Sequence, residues 1–158
     1  MTASLPFSLP GFEIMAIQSD GEHIEVTAVS TTLSGYCPDC HSASTGIHST
    51  YQRHPRDLPV QDQIVRLHLL VHRFLCLQPA CSRQTFVEPL PQVAARHARR
   101  TVRFTQRLAH LGLALGGRAG ARLGKRTGVP TSRSTLLRVL RRLSLPEHPT
   151  PRVMGIDD

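Results

Sequence analysis

Tryptophan is absent from this 158-residue chain, and aromatic residues of all kinds make up only 4% of it. The hydrophobic fraction of 40% is still enough for a folded core, which must therefore consist mainly of aliphatic side chains. At this length we expect one domain or two small ones, which excludes a large multidomain enzyme.

Long apolar runs are also missing, because His, Arg or Gly interrupts each apolar stretch well before the roughly 18 residues that a bilayer span needs. The N-terminal residues MTASLPFS contain no basic side chain, and no apolar signal-peptide core precedes Glu13. These absences predict a cytoplasmic protein without a transmembrane helix and without a membrane partner.

One sign of charge is missing from each of two long segments. Residues 1–50 contain five acids and no Lys or Arg, so all 19 basic residues lie in residues 51–158, against six acids. Between Pro89 and Pro146 there are 13 basic residues and no acid. Eighteen of the 19 are Arg, whose guanidinium can fork onto a phosphate or a guanine edge. We therefore predict a nucleic-acid partner rather than a merely solvated basic surface.

The chain up to about residue 91 has the pattern of strands and turns. Asp20-Gly21 separates two β-prone runs, residues 12–19 and 22–29, and this dipeptide favours a tight hairpin. Apolar residues alternate with polar ones from Val65 to Val71, which is the period of a half-buried strand. That strand leads directly to Cys76.

A helical period replaces the strand pattern over about residues 94–145. The first helix is predicted to end at Gly116-Gly117. Its apolar side chains, Phe104, Leu108, Leu111 and Leu115, lie along one face. A second short helix is predicted over residues 118–127. A third is predicted to begin at Thr131 or Ser132, either of which can cap the first turn, and to run to Leu143.

The four cysteines form two pairs, Cys37-Pro-Asp-Cys40 and Cys76-Leu-Gln-Pro-Ala-Cys81, with 35 residues between them. Four thiolates on two short turns can complete a tetrahedral shell around zinc. Two disulfides would need an oxidising compartment, and a redox Cys-x-x-Cys site would need only the first pair. We predict a zinc ribbon whose structural Zn²⁺, bound by all four cysteines, stabilises a β unit with a marginal core.

An alternative is covalent haem, because Cys37 to His41 also matches the Cys-x-x-Cys-His attachment motif. Haem attachment follows export, for which no signal peptide is present, and it leaves Cys76 and Cys81 without a role. We therefore interpret His41 as a surface residue, and the other eight histidines as packed or solvated side chains.

The segment from Arg118 to Leu143 predicts a helix-turn-helix. We expect Leu123 and Val129 to pack inward against the later helix. Their expected partners there are Leu136, Val139, Leu140 and Leu143. At about 100° per residue, Ser134, Arg138 and Arg141 fall on the opposite face, which suits the major groove. We prefer DNA binding to a solvated or protein-binding basic face. The predicted DNA-binding residues are Arg118, Arg122, Lys125, Arg126, Arg133, Ser134, Arg138, Arg141 and Arg142.

The end of the chain combines a proline-rich linker with a short β-prone run, residues 153–156, that ends on Asp157 and Asp158. Metal-dependent phosphoryl transfer uses strands that deliver a carboxylate at their C-terminal ends, because Mg²⁺ prefers rigidly held oxygen ligands. This single strand has nothing to pair with, so we expect the chain to be a fragment of something longer.

Several of these motifs resemble the N-terminal part of insertion-sequence transposases of the ISL-three family. The matching stretches are CPDC at 37–40, HSTYQR at 48–53, DLP at 57–59, RFLC at 73–76, CSRQTFVE at 81–88, LGLALGGRAG at 111–120, SRSTLLR at 132–138 and GIDD at 155–158. The resemblance covers about residue 36 to the end. His41 departs from the pattern, since Gly is more usual there, which weakens the tight-turn argument but leaves the ligands intact.

The resemblance implies a transposase that binds the terminal inverted repeats of its element, as double-stranded DNA, through the zinc ribbon and the helix-turn-helix. An RNase H-like domain with an Asp, Asp, Glu triad and a divalent metal would cut and join DNA. By match to the family motif, Asp157 would be the first catalytic carboxylate. The other two would lie beyond residue 158, so Mg²⁺ is expected only in the full-length catalytic domain, and this chain should be inactive alone.

The predicted fold class is α+β. A β-rich zinc-ribbon domain over residues 1–91, with its zinc core at about 36–88, precedes an all-α helix-turn-helix domain over 92–145. Residues 146–158 are then the linker and the first strand of a truncated DDE domain. The alternative function is a freestanding zinc-ribbon and helix-turn-helix transcriptional regulator, and the sequence leaves a homodimer open.

Overall fold

Eight strands and two helices form over residues 8–144, the part of the chain that this computed structural model describes. The strands are β1 (Phe12–Ser19), β2 (His23–Ser30), β3 (Gly35–Tyr36), β4 (Ala43–Ser44), β5 (Ile47–Arg53), β6 (Arg56–Val60), β7 (Gln63–Leu75) and β8 (Thr85–Val87). The helices are α1 (Val102–Arg126) and α2 (Arg133–Leu140). This confirms a mixed α+β protein built mostly of strands, while the predicted linker and final strand lie outside the described residues.

The predicted N-terminal hairpin is confirmed, because β1 and β2 pair antiparallel from Phe12 opposite Ser30 to Ser19 opposite Ile24. The Asp20 carboxylate accepts hydrogen bonds from the backbone amides of Glu22, at 2.9 Å, and of His23, at 2.7 Å. Gly21 adopts φ +94°, the left-handed conformation that glycine takes without a steric penalty. The turn therefore closes as the dipeptide predicts.

The 13-residue strand β7 is the centre of the main sheet. It pairs parallel with β2 and antiparallel with β5, β6 and β8. Its predicted alternation is confirmed, because four side chains on one face are fully buried, namely Val65, Leu67, Leu69 and Val71. They pack with Val26 and Ala28 of β2 and with Leu90, Val93 and Ala94, which follow β8 in the chain. This aliphatic core covers one face of β7 from Val65 to Val71, whereas Phe74 near the end of the strand belongs to the cluster around Cys37.

Helix α1 is interrupted at Gly116, where φ is +67° and ψ is −170°. The sequence predicts a break at this glycine, and the structure adds that the helix resumes at once and continues to Arg126. At the start of α2, the Ser132 hydroxyl accepts a hydrogen bond from the Thr135 amide at 3.2 Å, so Ser132 rather than Thr131 is the cap. Helix α2 ends at Leu140, three residues before the predicted Leu143.

Glycines bring α1 and α2 into close contact. A Cβ atom at Gly120 would lie 2.9 Å from Leu136 Cδ1, and one at Gly112 would lie 3.0 Å from Leu140 Cγ. Leu136 and Val129 are buried with Phe104 and Leu108, as the helix-turn-helix packing predicts for the first two.

Two leucines predicted to face the core are instead at the surface. Leu123 is 40% exposed and Leu143 is 37% exposed. For Leu123 the reason is that Gly120 and Gly124 form the side of α1 that meets α2 and the turn before it, so the leucine between them turns outward. Leu115, at the end of the predicted stripe, is 43% exposed beside the break at Gly116.

Asp57 of β6 joins the sheet to the start of α1. Its side chain is fully buried and accepts hydrogen bonds from the Leu58 amide at 2.8 Å and the Thr101 hydroxyl at 2.7 Å, and from two nitrogens of the Arg103 guanidinium. Thr101 is also the N-cap of α1, since its hydroxyl accepts from the Phe104 amide at 3.2 Å. One carboxylate therefore fixes a strand, a helix cap and the first turn of the helix.

Candidate metal centre and basic surface

Two short turns carry the four cysteines. Cys37 and Cys40 lie in the turn between β3 and β4, where the His41 amide donates to the Cys37 carbonyl at 2.9 Å. Cys76 directly follows β7, and its amide donates to the Gln84 carbonyl at 2.8 Å. Cys81 lies in the same turn, before β8. The long strand β7 thus leads directly to the second cysteine pair, as the sequence predicts, and places it next to the first pair.

The four sulfur atoms lie within 4.8 Å of one another, and none of the four cysteines forms a disulfide. The Cys37 and Cys81 sulfurs are 3.9 Å apart, and the Cys40 and Cys76 sulfurs are 3.5 Å apart. A tetrahedral zinc ion with Zn–S bonds of about 2.3 Å needs sulfurs about 3.8 Å apart. The donor chemistry and the spacing therefore fit Zn²⁺, as the sequence predicts.

The protonation of these thiols differs strongly within the cluster. Hydrogen bonds from the Ser42 hydroxyl and backbone amide lower the pKa of Cys40 to about 6. For Cys76, a backbone hydrogen bond from Gln78 favours the thiolate, but burial and contacts with the other three thiols outweigh it and raise the pKa to about 12. The pKa of Cys81 is raised as well; there too the Arg83 amide opposes the effect of burial. A metal must therefore displace protons from at least two thiols at neutral pH.

Aromatic and ionic contacts support the cysteine turns. Phe74 and Phe86 stack with ring centroids 5.7 Å apart and pack with the buried Cys37 and its three partners. The Arg83 Nε donates to the Asp39 carboxylate at 2.8 Å, which links the second cysteine turn to the first. Sequence spacing alone identifies neither contact.

His41 has φ +57°, in the left-handed region. Glycine would adopt this conformation without strain, whereas a residue with a Cβ atom is strained there. The position is solvent-exposed, as predicted for a surface histidine.

We expect His41→Gly to stabilise the metal-bound protein by about 0.5–1 kcal/mol, because relief of strain outweighs the added freedom of the unfolded chain. Urea unfolding in the presence of zinc measures this change. The control His48→Gly, at an exposed position of β5 whose φ is not positive, should destabilise the protein instead. A loss of stability at position 41 equal to that at position 48 would contradict the strain argument.

All nine residues predicted to bind DNA are exposed and lie in one region of the chain. Arg118, Arg122, Lys125 and Arg126 belong to the second part of α1, Arg133, Ser134 and Arg138 belong to α2, and Arg141 and Arg142 lie in the turn that follows. Opposite the face of Ser134 and Arg138, Leu136 is fully buried. Their contact with DNA stays a prediction. Asp157, the predicted catalytic residue, lies outside the described residues.

Two further arginines, one on β6 and one just before α1, are missed by the sequence patterns. Arg56 of β6 forms a bridge with Arg100, which lies just before α1. The Arg56 amide donates to the Arg99 carbonyl at 3.0 Å, and the Thr101 amide donates to the Arg56 carbonyl at 2.9 Å. Arg100 falls within the acid-free run, but no local pattern pairs it with a residue 44 positions earlier.

An open cavity of about 610 Å³ lies beside Arg56 on the main sheet. Two of the histidines interpreted as isolated meet there, with the Nδ1 atoms of His54 and His68 at 3.0 Å. The other ring nitrogen of His68 contacts the Glu25 carboxylate, which also lies 3.6 Å from Arg66. The two histidines thus form a hydrogen-bonded contact, which the interpretation of them as scattered single residues does not predict.

Neither helix of residues 8–144 combines the length and the apolar character that crossing a membrane requires.

Comparison with known protein families gives one match over the cysteine-bearing part of the chain. Residues 34–81 match the family model described as the zinc-finger of transposase IS204/IS1001/IS1096/IS1165. The matched stretch contains all four clustered cysteines. No curated protein and no solved structure matches the chain. The family match and the cysteine cluster together support a metal-binding, transposase-type zinc ribbon.

Proposed function

We propose that this chain is the DNA-binding N-terminal portion of a transposase, and that it recognises the terminal inverted repeats of its insertion sequence during DNA transposition. The observation that carries the proposal is the match of residues 34–81 to the zinc-finger of such transposases, with its four cysteines close enough to share one metal ion. The acid-free basic segment that follows supports a DNA partner.

Zinc has a structural role in this proposal. Cys37, Cys40, Cys76 and Cys81 would fill all four coordination positions, which leaves none for water or substrate. The bound ion would fix the two cysteine turns relative to each other. The rest of the ribbon, including the Phe74–Phe86 stack and the Arg83–Asp39 pair, would then be held in one arrangement.

The two helices supply sequence recognition in this proposal, as a helix-turn-helix. Helix α2 would enter the major groove, because the buried Leu136 anchors one side of the helix and leaves Ser134 and Arg138 on the exposed side. Arg141 follows Arg138 by about one helical turn. These three side chains would approach bases. The remaining predicted residues would bind phosphates, namely Arg118, Arg122, Lys125, Arg126, Arg133 and Arg142.

The catalytic part of the proposal rests on the family motif alone. Asp157 would be the first carboxylate of the Asp, Asp, Glu triad in an RNase H-like domain, where Mg²⁺ would act. The proposed division of this chain is a zinc-ribbon domain over 1–91, a helical domain over 92–145, and a linker and first catalytic strand over 146–158. A cytoplasmic location and a homodimer stay predictions.

The test compares a duplex carrying the inverted repeat that flanks the gene with a scrambled duplex of equal length. We expect the double variant Arg138→Gln/Arg141→Gln to lose at least about 30-fold in affinity for the repeat, since two good base contacts of about 1–3 kcal/mol each together contribute about 2–6 kcal/mol of discrimination. Its affinity for the scrambled duplex should fall far less. Fluorescence anisotropy at fixed salt measures both affinities.

The matched control is Arg118→Gln/Arg122→Gln, which removes the same charge from α1 and should weaken binding to both duplexes alike. Equal losses on both duplexes for the α2 variant would reduce Arg138 and Arg141 to phosphate contacts. Equal affinity of the unmodified protein for the repeat and the scrambled duplex would overturn recognition of the inverted repeats.

A further inference from the structure

Arg56 and Arg100 are held side by side by the backbone. They form a parallel bridge, and hydrogen bonds from the Arg56 amide to the Arg99 carbonyl and from the Thr101 amide to the Arg56 carbonyl flank it. The Arg100 guanidinium lies over the Phe104 ring, 5.9 Å from its centroid, which further restricts it. The backbone thus places two arginines from distant segments next to each other, and the ring contact restricts the guanidinium of one of them.

No carboxylate neutralises this pair within residues 8–144, where the ion pairs involve other cations. Asp57, the acid next to Arg56 in the sequence, already accepts hydrogen bonds from Leu58, Thr101 and Arg103. Burial and the charges of Arg56 and Arg138 lower the pKa of Arg100 below its ordinary value. The charge of Arg138 on α2 therefore also acts on Arg100, and none of the ion pairs formed within residues 8–144 includes Arg56, Arg100 or Arg138.

Like charges held close together repel each other in the anion-free protein, which raises its free energy. Binding of an anion relieves this repulsion. We propose that Arg56 and Arg100 together bind one phosphodiester group of the DNA backbone beside the groove that α2 reads. This inference rests on the proposed function and extends it, because it makes the main sheet part of the DNA surface. Arg138 would mark the border between the base-reading face of α2 and this phosphate site.

A DNA phosphate fits better than a small free anion because the surroundings are open and continue the basic surface. Arg56 is exposed and borders the open cavity on the sheet, and Arg138 is exposed on α2. The exposure of Arg56 and Arg138 leaves room for the neighbouring nucleotides of a strand. Free inorganic phosphate shares the same chemistry, so the experiment must separate the two sources.

The experiment uses the full chain with zinc and measures duplex binding by anisotropy from 50 to 200 mM salt. We expect Arg56→Gln and Arg100→Gln each to weaken binding to the repeat and the scrambled duplex by the same factor, about 5- to 20-fold at low salt. Each should also reduce the slope of log affinity against log salt by about 1, the value for one lost phosphate contact. Arg100→Lys should keep most of the affinity and slope, because it keeps the charge.

The matched control is Arg66→Gln. Arg66 lies opposite Arg56 in the β6–β7 register, but its guanidinium already has Glu25 as a partner at 3.6 Å. We expect little change in its affinity or slope. The melting temperature of Arg100→Gln should be unchanged or higher, since a mutual repulsion is removed, whereas a merely structural arginine would lower it.

The outcomes separate this inference from the proposed function. Unchanged affinity and salt slope in both glutamine variants would overturn the phosphate site and leave recognition by α2 standing. In a second outcome, 10 mM inorganic phosphate stabilises the unmodified protein but not Arg100→Gln, while both bind the duplex equally well. This result would assign the site to a free anion and would also overturn the DNA-phosphate site. Failure of the unmodified protein to bind any duplex would overturn both proposals.

Discussion

Removal of zinc at neutral pH is expected to unfold the ribbon and to cost most of the stability of the chain. The β3–β4 pair spans only two residues per strand, and its buried cluster consists of Phe74, Phe86 and Cys37. So small a unit cannot replace the binding energy of the ion, which in isolated zinc fingers is about 10–16 kcal/mol. Circular dichroism and urea unfolding, with and without a chelator, measure the loss.

Cys40→Ser should reproduce the effect of the chelator, with less than one zinc ion bound per chain. The matched control Ser82→Ala changes an exposed residue next to a ligand and should bind one zinc ion with unaltered stability. An unchanged spectrum and urea midpoint after complete metal removal would show that the ribbon folds without the ion.

The affinity for zinc should rise steeply with pH. Cys76, whose pKa is raised to about 12, and Cys81, whose pKa is also raised, both carry protons at pH 7 in the metal-free cluster, and zinc must displace them. Release of at least two protons predicts a gain of at least about 100-fold in apparent affinity per pH unit, and the same loss on acidification. Competition with a chelator at pH 6.5, 7.0 and 7.5 measures the slope. A gain below tenfold per unit would contradict the two protonated thiols.

Features of the fold that depend on local order follow well from the sequence. The alternation from Val65 to Val71 predicts β7 because one face of a strand repeats every second residue. The spacing of the two cysteine pairs predicts that they lie close together, because one shared metal ion requires it. Gly21 and Ser132 predict a turn and a helix start from conformational preferences of single residues. Each of these signals lies within a few positions of the feature it specifies.

Contacts between distant segments could not be predicted in the same way. The pairing of Arg56 with Arg100 depends on how the residues before α1 run along β6, and no periodicity encodes that alignment. The outward position of Leu123 has a similar cause. Its apolar side chain suggests burial, but the close approach of two helices selects the face with the smallest residues, which here contains Gly120 and Gly124.

The proposed DNA surface depends on how the sheet and the helices are joined. Helix α2 packs on α1, and Arg56 belongs to β6, so both would contact one duplex only if α1 keeps its position on the sheet. Asp57 and Thr101 supply the polar part of that junction. Leu58 supplies an apolar part, since it packs against the cluster of Phe104, Leu108, Val129 and Leu136.

Replacement of Asp57 by alanine is therefore expected to destabilise the chain by about 2–4 kcal/mol. Removal of one partner of a buried ion pair typically costs about 3–5 kcal/mol, and the partial exposure of Arg103 allows water to recover some of that loss. The Thr101 hydroxyl and the Leu58 amide also lose their acceptor. The urea midpoint with zinc present measures the change.

The matched control Asp62→Ala removes an exposed carboxylate from the turn between β6 and β7 and should cost less than Asp57→Ala, even though its φ of +64° adds some strain. Thr101→Ala should cost about 1–2 kcal/mol, because it removes the helix cap and one of the Asp57 bonds. Asp57→Ala should also weaken duplex binding, although loss of a negative charge alone would strengthen it. Stronger binding with an unchanged urea midpoint would show that Asp57 does not hold the two halves of the DNA surface together.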